Sequence, residues 1–113
     1  MENRPNKPPG VSQFFWNLGG AFLPEKVHKV LDKPWFKIKG AEIGGWSAFH
    51  FLMGVLTALF INSYICAFVI HTVWEAYQVA IGMTKLQYSS ARWDTLFDTI
   101  FYMVGFFVGK QLF

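Results

Sequence analysis

IGGWSAFHFLMGVLTALFINSYICAFVIHTVWEAYQVAIG, residues 43–82, is the stretch on which the fold turns. These forty residues are mostly apolar. Wound as one helix they extend roughly 60 Å, about twice the ~30 Å hydrocarbon core of a bilayer. The most polar break is Asn62-Ser63, near the middle, where a tight helical hairpin leaves candidate spans 43–61 and 64–82. Each is near the ~20 residues a crossing helix needs. A polar loop, 83–93, leads to a third apolar stretch, 94–113.

Composition points the same way. The chain has 113 residues, 53% hydrophobic, 19% aromatic and 15% charged. A water-soluble domain of this size carries about 25% charge and has little room to hide so many aromatic rings. From Trp46 to Trp74 there is no Asp, Glu, Lys or Arg. The expected architecture is an all-α membrane protein with three transmembrane helices, the first two paired as a tight hairpin. A single cysteine, Cys66, excludes an internal disulfide. Nothing in the residue pattern calls for a cofactor, and a net charge of +3 is too weak to argue for nucleic acid.

Seven of the ten Lys/Arg lie in residues 1–45. Residues 1–10 form a polar, proline-rich arm, and residues 11–42 an amphipathic, interfacial segment ahead of the membrane domain 43–113. A short helix is expected after Pro24, with Val27, Val30, Leu31 and Trp35 on one face and Lys26, His28, Lys29 and Lys33 facing elsewhere. Trp16, Lys26, Lys29, Lys33 and Trp35 are thus candidates for contact with a membrane surface or a docking partner. With three spans, nine of the ten positive residues fall on one side. The positive-inside rule then makes the protein multi-pass, its N-terminus and the 83–93 loop facing the cytosol or its equivalent.

Polar residues within the apolar stretches are candidates for a site, because burying an ionisable group is costly unless it has partners. His71, Glu75 and Gln78 share one helical face, and Asp94, Asp98 and Tyr102 share another. In the hairpin arrangement His50, Glu75 and Asp98 come to a similar depth, with Gln78 nearby and Arg92 reaching in from the loop. Three readings stay open: a hydrogen-bonded knot that fixes helix packing, a substrate or head-group site, or a metal site. In the second, Glu75 or Asp98 is the general base and His50 or Arg92 holds an anionic oxygen. In the third, His50, His71, Glu75 and Asp98 supply ligands, although no sharp ligand spacing such as H-E-x-x-H is present. Gly105-Phe-Phe-Val-Gly109 is a G-x-x-x-G, and with Gly54 it provides small residues for close helix approach.

The ordered set His50-Phe51, Glu75 with Gln78, then Arg92, Thr95, Asp98, Gly105 and Gly109 resembles the pattern of VanZ-like membrane proteins over roughly residues 46–110. Tyr102 stands where that family usually has Asn, and the segment 11–39 replaces a first hydrophobic span. The resemblance implies a helical membrane fold with a buried polar cluster, in a family linked to glycopeptide-antibiotic tolerance. Two functions follow from the whole reading. One is a non-enzymatic anchor or accessory subunit of a larger membrane-associated assembly, such as a respiratory or photosynthetic complex or a viral capsid–membrane link. The other is a VanZ-like envelope protein acting on a lipid-linked substrate at the polar cluster. The expected partners are the bilayer and proteins of such an assembly.

Overall fold

Apolar residues set at helical intervals, broken by Asn62-Ser63 and by the polar 83–88 region, produce three packed helices behind a small N-terminal platform. The computed structural model describes residues 7–18, 25–84 and 86–113. The elements are α1 (Gln13–Trp16), α2 (Glu25–Asp32), β1 (Pro34–Ile38), β2 (Ala41–Gly44), α3 (Gly45–Thr57), α4 (Tyr64–Ala80) and α5 (Ser89–Leu112). Of the proline-rich arm, residues 1–6 lie outside the described residues, as do Phe22, Leu23 and Pro24.

β1 and β2 form an antiparallel hairpin with Ile38 opposite Ala41. Lys39 and Gly40, at φ 52° and 85°, make the two-residue turn with positive φ at both positions that matches the twist of the strands. This hairpin corrects the expectation of an amphipathic segment running through residues 11–42. Trp35, expected on a helix face, stands exposed on β1, and on α2 it is His28 that turns inward while Val27 and Val30 face outward. Hydrogen bonds tie the platform to the helices. Trp46 Nε1 donates to Asp32 Oδ1 at 2.6 Å, and the Glu42 N–H donates to Asp94 Oδ1 at 3.0 Å.

α5 packs along α3 through glycine. A Cβ on Gly54 would collide with the Tyr102 carbonyl, and one on Gly105 with the Phe51 carbonyl. Gly109 lies against Val55 and Ala58. The G-x-x-x-G is therefore used inside the molecule, bringing two backbones together. Ser63 caps α4, accepting from the Cys66 N–H at 3.2 Å. Lys110 closes the far end, donating to Asn62 Oδ1 at 2.5 Å and to the Ile61 carbonyl at 3.3 Å. Ala58, Ala67, Tyr102 and Phe106 form the buried apolar cluster between the three helices.

The three-span architecture is not what these helices make. Among the described residues no helix is long and apolar enough to cross a membrane. α3 has 13 residues and α4 has 17, about 20 and 26 Å at 1.5 Å per residue, short of the ~30 Å required. α5 has 24 residues but carries Arg92, Asp94, Asp98 and Lys110 along its length. The chain instead forms a mostly helical globule whose radius of gyration, 14.1 Å, is close to the ~13 Å expected for its length. The multi-pass localisation falls with the spans, because the positive-inside rule has no crossing helix to orient.

A candidate polar site between the three helices

Each of the three long helices presents ionisable or hydroxyl groups at one level. α3 brings His50, α4 brings His71 and Glu75 one turn apart, and α5 brings Asp98 and Thr99. His50 Nε2 lies 3.4 Å from Asp98 Oδ2. His50 Nδ1 lies 3.3 Å from His71 Nε2. His71 Nδ1 lies 3.0 Å from Glu75 Oε1. Thr99 Oγ1 donates to Glu75 Oε1 at 2.6 Å, and the Thr95 carbonyl, at 3.0 Å, is its alternative acceptor. The result is a line: carboxyl, imidazole, imidazole, carboxyl.

Burial grades along that line. The His71 side chain is 3% exposed and that of His50 11%, whereas Glu75 keeps 13% and Asp98 29%. Tyr102 stacks on His71 with ring centroids 4.5 Å apart, and its hydroxyl donates to Thr57 Oγ1 at 2.9 Å. Tyr102 thus covers an imidazole of the cluster. Loss of water pushes the His50 pKa down to about 3, helped by the neighbouring His71. The Asp98 carboxyl is pushed well above the ordinary 3.8, first by desolvation and then by Asp94 and Glu75. Its outer rim meets water, but its carboxyl is crowded by protein and by two other acids.

Three of the expected cluster residues, His50, Glu75 and Asp98, are brought into one network, with His71 as the bridge. Gln78 and Arg92 are not part of that line. The Gln78 amide is directed to Met83 Sδ at 3.8 Å, and Arg92 donates to the Leu86 carbonyl at 2.8 Å. A metal site does not fit: the two imidazoles point at each other, and no described group of three or more His, Cys, Asp or Glu converges on a centre. Thr99 falls outside the stripe 94, 98, 102, which runs one residue to its side. The repeat Thr95–Thr99, one helical turn, was the available signal.

Comparison with family models, with curated proteins and with solved structures finds no match for this chain.

The residues expected at a docking surface divide. Lys26, Lys29, Lys33 and Trp35 are exposed, whereas Trp16 is buried. α1 is held against α4 by the Tyr77 hydroxyl, which donates to the Phe15 carbonyl at 2.5 Å. A larger apolar surface lies elsewhere. Leu96, Ile100, Val104 and Phe107 run down the outside of α5, and Leu52, Leu56 and Leu59 down the outside of α3 and its following turn. On α4 the outer row is Ile65 (76% exposed), Phe68, Val69 and Val73 (63% exposed).

Proposed function

We propose that this protein is a non-enzymatic accessory subunit, held in a larger assembly by the outward apolar rows of α3, α4 and α5 and oriented by the lysines of its N-terminal platform. One observation carries the reading. Among the described residues 27 large hydrophobic side chains are exposed and eight hydrophobic residues are buried. A folded monomer seldom leaves contiguous apolar surface beyond a few hundred Å² uncovered.

The spacing of the rows supports a helical protein partner. Leu96, Ile100, Val104 and Phe107 recur at i, i+4, i+8 and i+11, the ridge spacing by which one helix seats on another. The absence of Asp, Glu, Lys and Arg from Trp46 to Trp74 calls for an uncharged face opposite α3 and α4. Exposed Lys26, Lys29, Lys33, Lys37 and Lys39 call for acidic groups at the rim of that face.

The test is the native mass of the endogenous protein in mild detergent, with identification of what co-migrates. A complex of fixed stoichiometry that is lost in an Ile65→Lys/Val73→Lys variant is the expected result. A 13.0 kDa monomer, a homo-oligomer, or a species carrying lipid alone would overturn the proposal.

A further inference from the structure

The line Asp98–His50–His71–Glu75 has a property that none of its members has alone. A neutral imidazole carries one N–H and one bare nitrogen, so it passes a hydrogen bond on in a single direction. Two neutral imidazoles in series between two carboxyls therefore complete their hydrogen bonds only when one of those carboxyls is protonated and the other is not. With both ionised, each imidazole turns its N–H outward and two bare nitrogens face each other across the 3.3 Å between His50 Nδ1 and His71 Nε2. With both protonated, two N–H groups face each other there instead. Either defect is buried, where an unsatisfied polar group is expensive.

We infer that Asp98, His50, His71 and Glu75 form a proton relay that stores one proton between its two carboxyls and passes it along the line by a paired change of imidazole tautomer. In one state Asp98 Oδ2–H donates to His50 Nε2, His50 Nδ1–H to His71 Nε2, and His71 Nδ1–H to the Glu75 carboxylate. Transfer breaks these three bonds to hydrogen and forms His50 Nε2–H, His71 Nε2–H and Glu75 Oε1–H. Three protons each cross one hydrogen bond. No imidazolium forms, and the line carries one negative charge before and after. The inference does not depend on the docking proposal.

Three further observations fit both ends of this step. Thr99 has an acceptor for each state: Glu75 Oε1 at 2.6 Å when that oxygen is ionised, and the Thr95 carbonyl at 3.0 Å when it carries the proton. The His71 side chain is the driest member and that of Asp98 the most exposed, which makes the Asp98 end the one where a proton enters or leaves. Burial also disfavours a charged His50, which argues against a discrete imidazolium at that position. The groups facing the line are few. α5 adds Asp94, Thr95, Thr99 and Tyr102, and β2 adds Glu42, whose N–H holds Asp94. Of the three links the 3.3 Å contact between the imidazoles has hydrogen-bond geometry, whereas His50–Asp98 at 3.4 Å and His71–Glu75 at 3.0 Å are ion-pair contacts, so the carboxyls at both ends must turn into line at transfer.

Nitrogen-15 NMR of histidine-labelled protein tests the relay, because Nδ1 and Nε2 shifts distinguish the two tautomers from imidazolium. In the wild type, His50 and His71 are both neutral near pH 7 and hold the same tautomer. In Asp98→Asn or Glu75→Gln the amide can donate or accept, so both imidazoles switch tautomer together, at one midpoint, as the remaining carboxyl titrates. Unlike tautomers in the wild type, an imidazolium at either position near pH 7, or separate midpoints in a variant would each overturn the relay. The wild-type measurement decides the matter even where a variant fails to fold.

Discussion

Between pH 6.5 and pH 3 an unfolded His50 takes up a proton that the folded protein refuses, because burial brings the folded pKa down to about 3. The unfolded state then binds more protons, so this residue makes stability fall as pH drops through that window. Asp98 acts in the opposite direction. Its folded pKa lies well above 3.8, so the folded protein keeps a proton that the unfolded chain has lost, and stability falls as pH rises. Above about pH 4 the two slopes oppose each other, leaving a net pH dependence of at most about 1.4 kcal/mol per pH unit. Urea unfolding across pH measures it. Asp98→Asn leaves the His50 slope alone, so stability then falls as pH drops from 6.5 to about 3, and His50→Gln leaves the opposite slope of Asp98. Much of this chemistry was legible in the sequence, since His50, Glu75 and Asp98 are ionisable groups in apolar surroundings. The bridging role of His71 and the part of Thr99 were not, because they depend on which rotamers meet across helices. Arg92 misled for a related reason: its long side chain reaches several places, and a nearby carbonyl on Leu86 captured it.

Gly54 and Gly105 set the distance between α3 and α5, and the cost of filling them measures how much of the fold rests on that crossing. Alanine at an exposed helical position gains up to about 1 kcal/mol over glycine. Here the new methyl meets backbone, the Tyr102 or the Phe51 carbonyl, so the helices must separate. Gly54→Ala and Gly105→Ala are expected to lose about 2–3 kcal/mol each, seen as a lowered urea midpoint, and to pull His50 away from Asp98. Gly109→Ala should also destabilise, since its methyl meets the Ala58 Cβ and the Val55 carbonyl, neither of which can swing aside. The small-residue spacing was legible as a close-packing signal, and the structure supplies its partner. The β-hairpin was missed although its signal was present. Trp35, Phe36 and Ile38 are strand-forming residues, and Lys39-Gly40 ahead of Ala41–Ile43 is a two-residue turn. Gly40→Val, at φ 85°, should destabilise that turn by about 1 kcal/mol or more and loosen the hold of Glu42 on Asp94.

At the scale of the molecule, hydropathy reports that surface avoids water but not what replaces the water. Residues 43–82 read as two spans because their composition is apolar throughout, whereas crossing a bilayer also requires uninterrupted helix length. α3 ends at Thr57 and α4 starts at Tyr64, which leaves both short. The apolar surplus remains, facing outward, with Phe60 84% exposed at the turn between them. Its consequence can be tested on one row. Ile65 and Val73 lie on the outer side of α4, away from the core formed by Ala58, Ala67, Tyr102 and Phe106. Lysine at both positions places two charges in water on the isolated chain, at little cost to folding. In a complex the same charges would be buried without partners, a penalty of several kcal/mol. The isolated wild-type chain is therefore expected to self-associate, and Ile65→Lys/Val73→Lys to stay folded and monomeric at 13.0 kDa while failing to enter the assembly. Sedimentation and circular dichroism on the purified chains, beside native mass in extracts, read both halves. Equal incorporation of the variant and the wild type would remove α4 from the interface and leave the rows of α3 and α5 to be tested in the same way.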